Sequence, residues 1–539
     1  MPVSVIIDGR STSGSIGESI FSCASKTGAV LPSSCKERGS CRECVVRITE
    51  GSEIVSPPGK PESFLRGGFR LACRATIEKS EGEIHIRTLK RGALQIAKRG
   101  MYGRPGQLST TPTLLPNSAT AAAARPAASG ERPRLGLAVD AGTTTVVCRL
   151  VDLTSHAVLS DYAFENPQVF AGSDVMARIA YDGEDGHGRQ RKALAAAVNQ
   201  GIKSFDCDYR DIVEVAIVGN TTMRDIVFGL DVQPIGQKPY RSVTETEMLF
   251  GRRHTTALSS PARKIGLMVN RDARAYGAPL LGSHVGADAA ACLSVLPLEV
   301  ENAGVVALMD IGTNTEIVLS DGKRTLTASC PAGPAFEGKG ITCGMPAFEG
   351  AMDRIAIEDG GRISWSTISN APAQGICGSG LISLLGELKR TGLMNELGRL
   401  TPHADRFIID PASDIHLSEG DISELAQAKG AHWAGLAILA NDIGIGTADI
   451  SHLFLAGGFS QYLDVDHARR IGLIPNIADD RITVAGNLAI EGATRLLVSQ
   501  ADRTVLDSAA KRVEHIELES SPDFFDLFVE GCHFKPMDV

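Results

Sequence analysis

The chain has 539 residues, 43% apolar and 22% charged, an ordinary globular balance at a length too great for one hydrophobic core. A formal charge of −9 gives no overall footprint for nucleic acid or an anionic membrane, and 5% aromatics argue against stacking platforms for bases or sugars. Met1 to Asp8 lack the basic flank and long apolar core of a signal peptide, and no apolar run reaches bilayer length. A cytoplasmic chain is expected, with its 12 cysteines acting as ligands or core thiols rather than disulfides.

Val3 to Ile7 reads as a strand, Gly17 to Lys26 as a short helix and Glu43 to Ile48 as another strand. Between them lies Cys35-x5-Cys41-x2-Cys44, with Cys73 following from a separate segment. Three thiols crowd one loop and a fourth closes from elsewhere, the arrangement an iron–sulfur cluster needs. Gly39 and Ser40 make the loop small enough for backbone amides to approach the sulfides. The alternative is structural zinc, which ordinarily uses paired C-x2-C knuckles, and this chain has one. The x5 spacing resembles adrenodoxin-like and other long-loop ferredoxin modules. Cys23 falls outside the spacing, on the expected helix, and reads as a buried thiol.

From Gly100 to Arg134 five prolines sit among Ala, Ser, Thr and Gly without apolar periodicity, the signature of a linker. Beyond it the chain alternates strands and helices. Leu194, Val198, Ile202 and Phe205 form a helical stripe ahead of a β-run at Val213 to Val218, which predicts an α/β domain.

Two hairpins share a design: Leu135 to Val147, turning at Asp140-Ala-Gly142-Thr143-Thr144, and Val305 to Val318, turning at Asp310-Ile-Gly312-Thr313-Asn314. Glycine lets backbone amides approach phosphate oxygens and threonine hydroxyls add donors. Asp140 and Asp310 suit a Mg²⁺ held through water between facing loops. Two such hairpins predict a duplicated fold with one phosphate loop in each half. Gly457-Gly458, ending the apolar run Leu453 to Ala456 ahead of a helix at Asp464 to Ile471, would let a flat adenosine lie against backbone. Asp140, Asp310 and Glu316 are the candidates for orienting the hydrolytic water. Gly333 to Gly340 nearly spells a Walker A loop, but Gly340 replaces the Mg²⁺-binding hydroxyl and Pro334 removes a donor, so it reads as a glycine-rich loop near the cleft. Gly375 to Gly380 reads as a helix N-terminus able to face an anion. Cys330, Cys343 and Cys377 read as core thiols, with a second metal site as the alternative.

Gly219-Asn-Thr-Thr-Met223, Val285 to Asp288, Asp310 to Asn314, Ala332 to Gly338, Gly375 to Gly380 and Leu455 to Phe459 together resemble the reductive activators of corrinoid-dependent enzymes, over nearly the whole chain. The resemblance implies an α/β and α+β multidomain protein. Its parts are an N-terminal β-grasp [2Fe–2S] ferredoxin-like domain at 1–92, a linker at 93–133, and the two lobes of a duplicated actin/hexokinase-type ATPase fold at 134–302 and 303–539. Cys35, Cys41, Cys44 and Cys73 would hold the cluster, and Gly142, Thr143, Thr144, Asp310, Gly312, Thr313, Asn314, Gly457 and Gly458 the nucleotide. The implied activity is ATP-driven transfer of one electron to an inactive Co(II) corrinoid methyltransfer protein, giving Co(I). An upstream low-potential donor, a homodimer, and no nucleic-acid or membrane partner go with it. This chain departs from the family at Lys36, Glu37, Arg38, Arg42 and Glu43, which charge the cluster loop, at Thr315, where glycine is common, and at Lys339, where a small residue is usual. The competing readings are a redox-regulated small-molecule kinase, an activator of another low-potential enzyme such as a dehydratase, and an actin-like scaffold.

Overall fold

The computed structural model describes residues 3–33, 35–39, 41, 43–89, 91–92, 132–184, 188–296, 304–457 and 460–538. Most of the expected linker, as well as Ser40, Arg42, Gly458 and Phe459, lies outside the described residues.

The N-terminal sheet begins with Val3–Ile7, where alternate residues Val3, Val5 and Ile7 are buried, the period-2 pattern of a strand with one covered face. It pairs antiparallel with Arg10–Gly14 and parallel with Glu83–Thr88. Val45–Glu50 and Phe69–Leu71 complete five strands. The helix Ile20–Lys26 starts later than the apolar pattern suggested because the Ser19 side chain accepts from the Ser22 amide and caps it there. Glu43 and Cys44 stay with the cysteine loop, so the expected strand shifts to Val45–Glu50. Cys23 is buried on the helix. This is the β-grasp ferredoxin-like domain.

Arg91–Gly92 crosses to the first large sheet, pairing with Phe164 and Ala163. In that sheet the hairpin Leu135–Ala141 and Thr145–Asp152 continues antiparallel into Val158–Glu165, while Ile212–Val218 runs parallel beside Leu135–Ala141, followed by Arg274–Gly277. The second sheet repeats these five strands in the same order and directions. Val305–Ile311, Thr315–Ser320 and Thr325–Cys330 are antiparallel neighbours, and Ile450–Ala456 runs parallel beside Val305–Ile311, followed by Ile482–Gly486. The repetition is the duplication the paired turns predicted. Leu194, Val198 and Ile202 are buried on the helix Arg189–Ser204, which covers the first sheet. Helices Ala287–Leu293 and Leu488–Val498 share one apolar core with both sheets, and that core joins the lobes. Among the described residues no helix is long and apolar enough to cross a membrane.

Candidate functional site

Val45 pairs with Leu71, and this register carries Cys44 and Cys73, which flank those strands, to one end of the N-terminal sheet. Their sulfurs lie 3.3 Å apart. A tetrahedral metal with bonds of about 2.3 Å to sulfur sets its thiolates ~3.8 Å apart, so this pair fits one metal with a small adjustment. Cys35 and Cys41 belong to the facing loop, which winds through positive φ at Lys36 (52°), Glu37 (64°) and Gly39 (77°). A Cβ at Gly39 would come within 2.8 Å of the Arg74 side chain, so the loop closes only with glycine there. Arg38 Nε donates to Cys35 O at 3.0 Å, and the Glu37 amide donates to Ser33 Oγ at 2.9 Å. Lys36, Glu37 and Arg38 themselves face solvent. Cys35 and Cys44 are buried, whereas Cys41 and Cys73 are partly exposed, leaving one side of the quartet near the surface. Four free thiols offered from two segments fit a two-iron cluster, which takes its thiolates as two pairs rather than round one point.

The two hairpin turns meet in a cleft of about 180 Å³ between the lobes. Asp140, Gly142, Thr143 and Thr144 line it from one side, with Asp310, Gly312, Thr313, Asn314 and Glu316 on the other, and Gly457 beside them. Gly457 sits at φ 109° with Ile311 O where a Cβ would stand, 2.1 Å away, so only glycine lets these strand ends come together. Gly458 lies outside the described residues. The threonines of the two turns face each other, with Thr144 Oγ1 and Thr313 Oγ1 3.1 Å apart. Thr143 Oγ1 accepts from Asn220 Nδ2 at 2.8 Å, and Gly142 O accepts from Asn166 Nδ2 at 2.8 Å.

Beneath the loops lie four carboxyls, Asp140, Asp288, Asp310 and Glu316. Burial raises Asp140 to about 7, against a weaker downward pull from the Asn487 amide, which donates to it at 2.8 Å. Burial and the nearby Asp310 raise Asp288 to about 8, and burial raises Asp310 to about 6. Glu316 is pushed well up by burial and by Asp288 and Asp310. Carboxyls that lift one another in this way form a site waiting for positive charge. Among the described residues no three His, Cys, Asp or Glu side chains gather where they would hold an ion directly. A hard cation that keeps several waters needs only one or two carboxylates, a demand Asp140 and Asp310 fit.

One helix touches both halves of this machinery. Val175–Glu184 carries Arg178, fully buried, whose guanidinium donates to Thr143 O at 2.6 Å and to Gln168 Oε1 at 3.1 Å. Burial pulls its pKa down to about 9. Three residues on, Tyr181 donates its hydroxyl to Phe64 O of the cysteine domain at 2.7 Å. The Phe170 ring stands edge-on between Phe64 (5.4 Å) and Tyr181 (5.5 Å), and Arg66 pairs with Glu184 at 2.8 Å. The cysteine domain therefore rests on the element that holds the first hairpin turn.

The structure also brings in residues to which the sequence reading gave no role. Asp288 opens a helix, Asn220 and Asn487 each cap one, and Glu337 and Phe336 come from the glycine-rich loop. Asn220, Asp288 and Glu337 stand inside the motifs quoted above. Asn487 carried a local signal too, an asparagine between a strand and a helix. Gly378 reaches the cleft at the start of the helix Gly378–Arg390, as an anion-facing terminus would. Cys330 and Cys377 are buried in the core.

The chain matches three family models in tandem: "2Fe-2S iron-sulfur cluster binding domain" at 5–78, "RACo middle region" at 135–301 and "C-terminal domain of RACo the ASKHA domain" at 304–539. It is 30% identical to the corrinoid activation enzyme RamQ of Eubacterium limosum, over 76% of this chain and 72% of that protein. It is 26% identical to the [Co(II) methylated amine-specific corrinoid protein] reductase of Methanosarcina barkeri, over 73% and 76%. Among solved structures, the reductive activator for corrinoid,iron-sulfur protein is similar at 26% identity, covering 99% of this chain and 98% of that one with a TM-score of 0.70.

Proposed function

Because the chain belongs to the family of reductive activators of corrinoid proteins, we propose that it returns an inactive Co(II) corrinoid methyltransfer protein to Co(I) by one-electron reduction, with ATP hydrolysis driving the step. The observation that carries this reading is the helix Val175–Glu184, which ties the first phosphate loop through Arg178 to the cysteine domain through Tyr181. A redox-regulated kinase would use the same connection, and the likeness to corrinoid activators favours the activator reading over it.

A [2Fe–2S] cluster held by Cys35, Cys41, Cys44 and Cys73 supplies, when bound, the one-electron carrier for the reduction. The half-exposed side of Cys41 and Cys73 is where the corrinoid partner would approach, and an upstream low-potential donor would refill the carrier. In the cleft, backbone at Gly142 and Gly312 and the side chains of Thr143, Thr144, Thr313 and Asn314 bind phosphate, and Gly457 with Gly458 supports the adenosine. Asp140 and Asp310 would hold Mg²⁺ through water, and the ion would supply charge neutralisation at the phosphates. The Thr144 and Thr313 hydroxyls stand 3.1 Å apart, so nucleotide seated between them parts the two turns, and Thr143 passes the change to Arg178, then to the docked domain. That is a population shift driven by differential affinity. The division into 1–92, 93–133, 134–302 and 303–539, a cytoplasmic setting and a homodimer belong to the same reading.

The test is anaerobic. Reduced, reconstituted protein is mixed with a Co(II) corrinoid methyltransfer protein, with and without Mg-ATP, and Co(I) is followed by its visible absorption. ATP-dependent Co(I) formation that needs the cluster supports the proposal. An intact cluster and active hydrolysis without Co(I), across several corrinoid partners, would refute it.

A further inference from the structure

The Ala332–Gly338 stretch contains a carboxylate that neither the phosphate-loop pattern nor the acidic floor of the cleft accounts for. Glu337 ends the short 3₁₀ turn Ala335–Glu337 and leans into the space between the lobes. Its Oε2 accepts from Thr144 Oγ1 at 2.6 Å and from Thr313 Oγ1 at 2.8 Å. One carboxylate oxygen thus spans the hydroxyls of both phosphate loops, which belong to different sheets. The other oxygen lies beside the second turn, 4.0 Å from where a Cβ on Gly312 would stand.

The remaining acids of the cleft are arranged differently. Asp140 is held by Asn487 at 2.8 Å, Asp310 receives the Cys292 thiol at 3.7 Å, and Glu316 receives Ser329 Oγ at 3.3 Å. Among the described residues none of them bonds to a phosphate-loop threonine. Burial raises all three, and charge on Asp310 lifts Asp140 and Glu316 further. Glu337 instead has Lys339 two residues away, whose Nζ donates to Thr144 Oγ1 at 3.2 Å.

We propose that Glu337 is the general base of ATP hydrolysis, an inference that rests on the cleft being an ATPase site. A phosphate seated on Thr144 and Thr313 takes over their hydroxyls, and the freed carboxylate is left facing its terminal phosphorus. A water held there gives its proton to Glu337 as its oxygen bonds to phosphorus. The bond from that phosphorus to the bridging oxygen breaks, ADP leaves with the electron pair, and Glu337 returns the proton to solvent. The balance is ATP and water in, ADP, phosphate and one proton out. Lys339 is the positioning residue, since its cation beside Thr144 meets the phosphate whose arrival frees the base.

The test uses the full chain with its cluster. Phosphate release from Mg-ATP is measured for the wild type and for Glu337→Gln, alongside the dissociation constant for ATP. Glu337→Gln should lower kcat by about 10²–10⁴-fold, the usual worth of a general base. ATP affinity should be unchanged, and ATP should be recoverable uncleaved from the isolated complex. Wild-type kcat in Glu337→Gln overturns the assignment and leaves the ATPase reading intact. Loss of ATP affinity in step with kcat/KM makes Glu337 a binding group and also overturns it. A wild-type protein that releases no phosphate, with or without a corrinoid partner, removes the ATPase reading and this inference together. If Glu337→Gln does not fold, judged by its thermal transition and cluster spectrum, Glu337→Asp decides: lowered kcat at unchanged affinity supports the base, and wild-type kcat refutes it.

Discussion

Tyr181→Phe removes one hydroxyl from the face where the cysteine domain rests on the first lobe. The ring stays in place, edge-on to Phe170 at 5.5 Å, so no cavity opens. What is lost is the 2.7 Å bond to Phe64 O. Tyr181 is only 2% exposed, and a buried acceptor deprived of its donor costs about 1–3 kcal/mol. That energy favours the undocked arrangement by about 5–150-fold. Amide hydrogen exchange read by mass spectrometry on the intact protein measures it directly. Exchange in Pro167–Ala171, Val175–Glu184 and the 62–72 segment should accelerate by the same factor, while Val305–Ile311 in the second lobe keeps its protection. ATP hydrolysis should continue, but the nucleotide dependence of corrinoid reduction should weaken. Wild-type protection in all three segments, with wild-type nucleotide dependence, would refute both the dock and the coupling through it.

Cys41→Ser should abolish the visible cluster spectrum and corrinoid reduction while ATP binding, measured by calorimetry, is retained. Asp310→Ala should do the reverse, keeping the spectrum and losing Mg-ATP turnover by about 10–100-fold or more, as for other groups that act on a metal through water. His432 gives a pH dependence. It is fully buried with Nε2 2.7 Å from Thr315 Oγ1, and burial lowers its pKa from 6.5 to about 3. The folded state therefore declines a proton that the unfolded chain accepts below pH 6.5, so this contribution is full above 6.5 and falls towards pH 3. Urea unfolding of wild type and His432→Gln between pH 7 and 5 should give a stability difference that changes below pH 6.5 by up to about 1.4 kcal/mol per pH unit. A difference that is flat with pH would show that His432 does not remain neutral in the fold.

What was legible in the sequence is what is local. The two turns could be read because a strand, its acid, glycine, threonines and return strand are neighbours in the chain, and a hairpin brings sequence neighbours into a site. The four cysteines could be read because their spacing implies a loop closed by a distant ligand. Glu337 was inside a stretch quoted for its resemblance and compared with a Walker A loop, and that comparison asks about Pro334 and Gly340 rather than the glutamate. Arg178 and Tyr181 left no periodic signal. A buried arginine is indistinguishable in sequence from an exposed one, and its partner, Thr143 O, is a backbone atom that no side-chain pattern reports. The helix boundary at Ser19 was missed for a related reason: the cap is one side-chain bond to Ser22 N, which overrides the apolar pattern preceding it.

The placement of Arg178 constrains how the coupling can work. Its guanidinium is withdrawn from water and satisfied by Thr143 O, Gln168 Oε1 and Gly172 O, and leaving such a group unpaired costs several kcal/mol. Withdrawing the turn alone gives up only the Thr143 O bond, since Gln168 Oε1 and Gly172 O still hold the guanidinium. A hydrogen bond from a charged donor is worth about 1.5–3 kcal/mol, and that sets the coupling between the first hairpin turn and Val175–Glu184, which carries Tyr181. On the proposed function, a nucleotide that moves Thr143 biases the dock under the cysteine domain by about 10–150-fold rather than moving it outright.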